Sequence, residues 1–484
     1  MAVTSTLRLK WFYAILISFI AVGSYFIATE MFWIALLPVV LGVVFLAMFA
    51  LDVLLMVIVF CTPLAVNLEG RGIGLALSIP TEPLMAGVML LFIIKIVFEG
   101  GFDRRILYHP VSVMILIYLA WMLLTCFTST MVVVSLKHFI AKLWFICPFY
   151  FLGTQMFRNF ANIRKFIWLY IIPLLIVITY TIIGHQQHGW TQKAAHTVMW
   201  PFYNDHTAYA AAIAMFLPLT IGFAFDKDSK PNMRYVSGIV SLIFITAMVL
   251  SYTRAAWISL AIALAVFIIF YLRIRFSIVF LAMVTLLILF FSFRTQILIK
   301  LERNRAQSAT DFNKHLQSIS NISTDASNLE RINRWHSAMR MFEEKPVFGW
   351  GPGTYQFKYA PFQQSREKTI ISTNAGDGGN AHSEYIGPLA ESGVLGLVTF
   401  ALVLIAVIYM SIMLYSKSLD REIKLFTLCI FLGLVTYMVH GALNNFLDTD
   451  KASVPFWGFI GILVAIDVYH ARERKFAQKK INEK

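Results

Sequence analysis

Apolar runs long enough to cross a bilayer recur along almost the whole chain, from Trp11 to His470. Each takes roughly 20 residues to span about 30 Å of hydrocarbon, so most of this chain has lipid as its solvent. We read fourteen candidates, at 11–29, 32–50, 52–66, 82–98, 110–127, 137–157, 163–183, 207–225, 235–252, 255–272, 276–294, 385–415, 422–442 and 453–470. The third is short, and the first part of the twelfth also reads as a re-entrant or interfacial helix. The expectation is an all-α polytopic membrane protein with about 12–14 transmembrane helices. No stretch before Trp11 has the pattern of a cleavable signal, so the first run is expected to remain as a span. With 59% hydrophobic and only 14% charged residues, the composition excludes a soluble enzyme.

Lys and Arg in short loops mark the cytoplasmic side. With the amino terminus inside, Arg8, Lys10, Arg104, Arg105, Arg158, Arg164, Lys165, Lys227, Lys230, Arg234, Arg273, Arg275, Lys417, Arg421 and Lys424 all fall on one side. The basic tail, residues 471–484, joins them and reads as an orientation signal touching anionic lipid rather than a nucleic-acid arm. Topology thus accounts for most of the net charge of +14 and removes nucleic acid as a partner. The cations left on the outer side are Lys137, Lys142, Lys193, Arg254 and the stretch from Arg294 to Lys368.

The four cysteines lie in apolar runs at spacings that suit neither zinc nor a disulfide framework. Residues 295–382 are polar and too long for an ordinary connection, which marks a functional loop. Its part from Gln307 to Asn328 reads as loosely packed. Leu329, Ile332, Trp335, Met339 and Phe342 then recur at helical spacing, as an amphipathic helix lying on the bundle. That helix carries Arg331 and Arg334, three residues apart. It ends near Lys345-Pro346. Gly349, Gly351 and Gly353 follow, and with no βαβ unit around them they suit a tight loop better than a nucleotide fingerprint. His185, His188, His196 and His206 share another outer loop, but their spacing fits no metal set, and no metal site is expected.

The last motif is Asn380-Ala381-His382-Ser383-Glu384-Tyr385, with nine residues separating Ser383 from Gly393-Val394-Leu395-Gly396. Together with Ser251-Tyr252-Thr253-Arg254, Arg331-Ile332-Asn333-Arg334-Trp335 and the 346–353 segment, it resembles the O-antigen ligase and polymerase superfamily over roughly residues 200–440. The resemblance implies a GT-C-type membrane glycosyltransferase in the bacterial inner membrane, with both termini cytoplasmic and its active site facing the periplasm. The implied donor is an undecaprenyl-pyrophosphate-linked glycan. The implied acceptor is lipid A-core for a ligase; in relatives it is another lipid-linked glycan or a protein hydroxyl.

The residue types fit that chemistry. Arg254 and Arg331 would hold the departing pyrophosphate, since a guanidinium fork binds two phosphate oxygens and stays charged. Arg334, Lys137 and Lys142 are secondary candidates for the same role. His382 would take the proton of the acceptor hydroxyl, and a single displacement would invert the anomeric carbon without metal or cofactor. Glu384 reads as a helix cap. The expected regions are a transmembrane bundle at 1–294, a large helical periplasmic loop at 295–384, transmembrane helices at 385–470 and the tail at 471–484. Polymerase and protein O-oligosaccharyltransferase remain alternatives. A lipid-linked-glycan transporter is the competing class, weakened because the distinctive polar groups gather on one face instead of at the midplane.

Overall fold

The computed structural model describes residues 37–67, 78–275, 326–368, 372 and 379–471, with isolated positions between 13 and 29 and between 278 and 292. The chain falls into two units, residues 1–57 and 58–484. The first contributes α1 (Leu37–Phe49) and the opening of α2 (Leu51–Cys61). All else belongs to the second.

Among the described residues, ten helices are long and apolar enough to cross a membrane. They are α3 (Thr81–Glu99), α4 (Pro110–Phe127), α5 (Val132–Met156, with a π turn at Cys147–Leu152) and α6 (Phe160–Gln187), then α7 (His206–Phe225), α8 (Pro231–Leu250) and α9 (Arg254–Tyr271). After α10 (Ala326–Glu344), which is not one of the ten, come α11 (Ile386–Lys417), α12 (Arg421–His440) and α13 (Asp450–Ala471). The only strands described, β1 (Val66–Asn67) and β2 (Ser78–Ile79), pair for two residues. The protein is therefore an all-α polytopic membrane protein. The expected spans at 11–29 and 276–294, the polar segment 307–325 and the tail beyond Ala471 lie, isolated positions apart, outside the described residues. The expected span 52–66 is a helix and a 3-10 turn ending at Leu64, within a stretch of 14 residues, which is too short to cross alone.

Polar side chains inside these helices are satisfied locally, as an apolar solvent demands. Thr181 and Ser411 each donate to the carbonyl four residues back, Val177 and Val407, at 2.8 Å. The innermost helix is α13, where 94% of the span window is buried. At Gly458 it admits the Phe166 ring, where any side chain would collide. At one end of the bundle the cationic loops are tied together: Arg164 pairs with Glu422 at 2.8 Å, Arg421 with Asp228 at 3.4 Å, and Arg105 and Arg158 lie over the Tyr469 ring. The motif residues sit at the other end.

The expected amphipathic helix exists as α10, but its most buried face differs from the expected apolar stripe. Glu330, Asn333, Arg334, Ser337, Ala338 and Met341 are buried, while Met339 is 39% exposed. The reason is that this face bonds to the rest of the loop. Arg334 pairs with Glu330 at 2.7 Å, and Asn333 donates to Gln363 at 2.8 Å. Ala338 and Met341 join a small apolar core with Tyr355, Tyr359, Ala381 and Ala390.

α11 breaks at Gly393 (φ 69°), so residues 386–392 form a separate short helix, in keeping with the doubt over the twelfth run. The glycine loop after α10 docks into this break. Val394 N–H donates to Pro346 O at 2.9 Å, Trp350 N–H to Ala390 O at 3.1 Å and Gly351 N–H to Glu391 O at 2.8 Å. Gly349, Gly351 and Gly353 all have positive φ. A Cβ at Gly349 would run into the Glu391–Ser392 backbone, and one at Gly393 into the Pro346–Val347 backbone. The pair of glycines thus allows two backbones to touch. From α4, Trp121 donates to Ser392 O at 2.9 Å and stacks on Phe348, bracing the same junction.

Gly349→Ala and Gly393→Ala should each lower folding stability by at least about 1–2 kcal/mol from left-handed backbone strain alone. The effect would appear as a reduced melting temperature of the detergent-purified protein.

Candidate functional site

The candidate residues come together where α7 and α9 begin, α12 ends and the loop lies across. Arg254 is the first residue of α9, after Tyr252, which is held at φ 52°. Thr253 Oγ1 donates to His206 O at 3.3 Å and ties the start of α9 to the start of α7. A cation is disfavoured at the positive end of a helix, so Arg254 stands where an anion, not the helix, would want it. Arg331 reaches over from α10 and donates from Nε to Leu443 O at 3.1 Å. Burial lowers the pKa of its guanidinium; Asp205 opposes this, and Arg254 adds to it. The two arginines therefore act on one another.

His382 is another non-glycine residue in left-handed backbone, at φ 49°. Its N–H donates to Asn380 Oδ1 at 3.0 Å, an Asx-type turn that holds the strained geometry. Such outliers cost on the order of 1–3 kcal/mol and cluster at functional sites. Burial, together with the Arg331 and Arg334 charges, pushes the imidazole down to about 4, while Asp205 and Glu330 pull the other way. It is therefore neutral at pH 7. Asp205, next to His206 in the chain, is central here. It caps α7 through Thr207 N–H at 2.9 Å and pairs with His206 Nδ1 at 2.9 Å. Burial works against its ionisation, but the His206 and Thr207 contacts outweigh that and hold the carboxyl below the usual range. His196 stacks on His206 at 4.2 Å, and His185 packs on Trp190. No cluster of three or more His, Cys, Asp or Glu able to hold a metal occurs among the described residues.

The secondary cations are placed differently. Arg334 is buried against Glu330, lies over the Tyr359 ring at 4.3 Å and donates to Asn380 O at 3.4 Å. Its charge positions the His382 turn. Lys142 is buried, with Nζ 2.6 Å from Asp448 Oδ1 and 3.0 Å from Leu447 O. Burial resists ionisation of Asp448, but Lys142 and His138 outweigh it and hold the carboxyl at about 2. Lys137 is exposed on α5.

Glu384 does not cap its helix; Ser383 Oγ does, accepting from Tyr385 and Ile386 N–H at 3.3 Å. Glu384 Oε1 instead accepts from Tyr437 OH (2.6 Å), Phe446 N–H (2.7 Å) and Leu447 N–H (2.8 Å). It folds down because it lies two residues ahead of α11, facing the loop between α12 and α13. The sequence also gave no sign of His440, fully buried at the end of α12 with no hydrogen-bond partner for either ring nitrogen. Beside the arginine cluster, meeting it at Asp205 and Asn380, lies a cavity of about 640 Å³.

Residues 239–401, 163 of the chain's 484, match the family model described as O-Antigen ligase. The match takes in Arg254, Arg331, the 346–353 loop, His382 and the Gly393 break. This carboxy-terminal region is therefore similar to O-antigen ligase-type domains, which supports the resemblance to the O-antigen ligase and polymerase superfamily. The chain is also similar to an uncharacterized protein of Haemophilus influenzae, 26% identical over 293 residues that cover 59% of this chain and 68% of that protein.

Breaking the Arg334–Glu330 pair should cost the about 3–5 kcal/mol typical when one partner of a buried pair is removed. Arg334→Met should therefore unfold the loop, visible as a lost or lowered melting transition. Arg331→Lys should leave that transition in place.

Proposed function

We propose that the protein transfers a glycan from undecaprenyl pyrophosphate to lipid A-core on the periplasmic face of the inner membrane, as an O-antigen ligase. Both termini are then cytoplasmic. The observation that carries the reading is the convergence of Arg254, Arg331 and His382, from three separate segments, around the start of α9. Arg254 at a helix N-terminus and a second guanidinium beside it make a site for a dianionic leaving group. As the glycosyl bond breaks, charge grows on the pyrophosphate oxygens, and two fixed cations stabilise it more in the transition state than in the ground state. Arg334, Lys142 and Lys137 contribute less directly: the first two are committed to buried partners, and the third is exposed on α5.

His382 is the general base. In the free enzyme burial, reinforced by the arginines, keeps it neutral but weakly basic. A bound pyrophosphate offsets their charge, so the imidazole gains basicity as the donor arrives. It then takes the proton of the acceptor hydroxyl, whose oxygen attacks the anomeric carbon from the face opposite the leaving pyrophosphate. One displacement inverts that carbon. Gathering the polar groups at one end of the bundle also favours a transferase over a transporter, which places its binding groups near the midplane.

The test is transfer by purified protein from an undecaprenyl-pyrophosphate-linked glycan to lipid A-core. His382→Ala should insert and fold normally yet lose about 10²- to 10⁴-fold in rate. Arg254→Lys should also be impaired, because a point charge lacks the bidentate fork. Lengthening of glycan on the carrier without transfer to lipid A-core would make the protein a polymerase instead. Equal transfer by wild type and His382→Ala would remove His382 from the mechanism.

The pH dependence has a defined sign. Protonated imidazole cannot accept a proton, so activity falls as pH drops through its pKa. The acid limb of kcat/KM, which reports the free enzyme, should lie near 4. That of kcat, which reports the donor complex, should lie at higher pH. Coincident limbs near 6.5, the ordinary imidazole value, would mean that the arginines do not act on the base.

A further inference from the structure

The cavity beside the arginine cluster has the opposite electrostatic character. Glu82, Asp205, Glu384, Glu391, Asp448 and Asp450 line it, against two lysines, Lys142 and Lys451. Both lysines are already engaged: Lys142 with Asp448 and Leu447 O, and Lys451 with Thr62 O at 2.6 Å and Ala65 O at 2.8 Å. With both lysines committed, the lining offers a phosphate no uncommitted lysine, and its surplus is of carboxyl oxygens. They suit a ligand that brings hydroxyl donors.

A second, independent feature points the same way. Four buried polar atoms on cavity-lining residues have no partner among the described residues: the indole Nε1 of Trp457, the Tyr203 hydroxyl, Asp450 Oδ1 and Asn445 Oδ1. Buried polar groups are nearly always hydrogen-bonded, so a donor, a hydroxyl and two acceptors left over on the lining residues describe the complement of a sugar, which both donates and accepts. Aromatic side chains share the lining, among them Tyr118, Phe446 and Trp457, and offer apolar faces to the C–H side of a pyranose ring. The volume of about 640 Å³ falls within the range of small-molecule pockets.

We propose that this cavity is a saccharide subsite, which takes an uncharged sugar of the reacting glycans and excludes phosphorylated ones. It deepens the transferase reading and rests on it for its place in the reaction: the arginines take the diphosphate, and the cavity takes the sugar. Asp205 and Asn380, which line the cavity beside the His382 turn, mark where the two compartments meet.

The test uses the full-length protein in lipid nanodiscs and saturation-transfer NMR with galactose and N-acetylglucosamine as neutral probes and glucose 6-phosphate as the anionic one. The neutral sugars should show contact, and glucose 6-phosphate should show none that depends on the cavity. Trp457→Phe, which removes the orphan N–H together with the pyrrole half of the indole while keeping an aromatic face, and Gln356→Ala, at the half-buried cavity wall, should each weaken neutral-sugar binding by at least about fivefold, the worth of one hydrogen bond. Arg331→Lys should leave it unchanged. Absence of contact with either neutral sugar, indifference to both cavity variants, or tighter binding of glucose 6-phosphate would overturn the proposal. In the transfer assay, a KM increase of the cavity variants confined to the acceptor assigns the subsite to the acceptor sugar; one confined to the donor assigns it to the donor glycan. No change in either overturns it. Transfer that survives His382→Ala would sink the catalytic assignment while leaving sugar binding intact, so the two readings fail separately.

Discussion

Both compartments of the site hang on the carboxylate of Glu384. Its Oε1 accepts from Tyr437 OH and from the N–H groups of Phe446 and Leu447, and its own N–H donates to Gly441 O at 2.8 Å. This fixes the loop between α12 and α13. That loop presents Leu443 O to Arg331 and presents Leu447 O and Asp448 to Lys142. One buried group therefore sets the arginine that faces the diphosphate site and the wall of the acidic cavity. Hydrogen bonds to a charged acceptor are each worth about 1.5–3 kcal/mol, and more is lost when a buried group is left without them. The segment that carries His382 is thus anchored two residues downstream by the Glu384 contacts.

A second constraint is the separation of charge. Burial and the nearby Arg254 charge depress the Arg331 guanidinium, and Asp205, on the side toward the cavity, tempers it. Beyond Asp205 the lining turns acidic. In a partly dehydrated site the effective dielectric is low and such patterns act at full strength. In the proposed reaction this pattern would draw a diphosphate to the arginines and leave the cavity to the sugar. Arg334, though cationic, belongs to neither compartment, because Glu330 neutralises it at 2.7 Å.

The spans were legible in the sequence because apolar length is the signal that lipid imposes, and the ten described ones begin and end close to the runs read from composition. The motifs that carry Arg254, Arg331 and His382 were legible as motifs, and all three residues lie in the matched stretch. What the sequence hid was partnership. Arg331 and Arg334 differ by less than one helical turn, yet one faces the cluster and the other a buried glutamate; nothing in Arg-x-x-Arg spacing tells which. Glu384 resembled a cap by position, and only the fold brings the 446–447 backbone beneath it. The face of α10 was misjudged because apolar periodicity assumes an oily neighbour, whereas the neighbour is the polar loop itself. His440 had no signal at all, being one imidazole at the end of an apolar helix.

The strain at His382 follows from the same architecture. A left-handed histidine is tolerated only where its surroundings over-determine it, and here they do. Asn380 holds its N–H, Trp335 Nε1 lies 3.5 Å from its carbonyl, Ser383 caps the next helix and Glu384 pins the chain below. A relaxed backbone would swing the imidazole away from Arg331, out of the field that sets its basicity. The glycine loop completes the clamp from the other side, since its bonds to Ala390 and Glu391 fix the short helix that starts just after His382. In the proposed reaction, the turn that strains His382 is also the turn that would aim it, so its placement is mechanical as well as electrostatic.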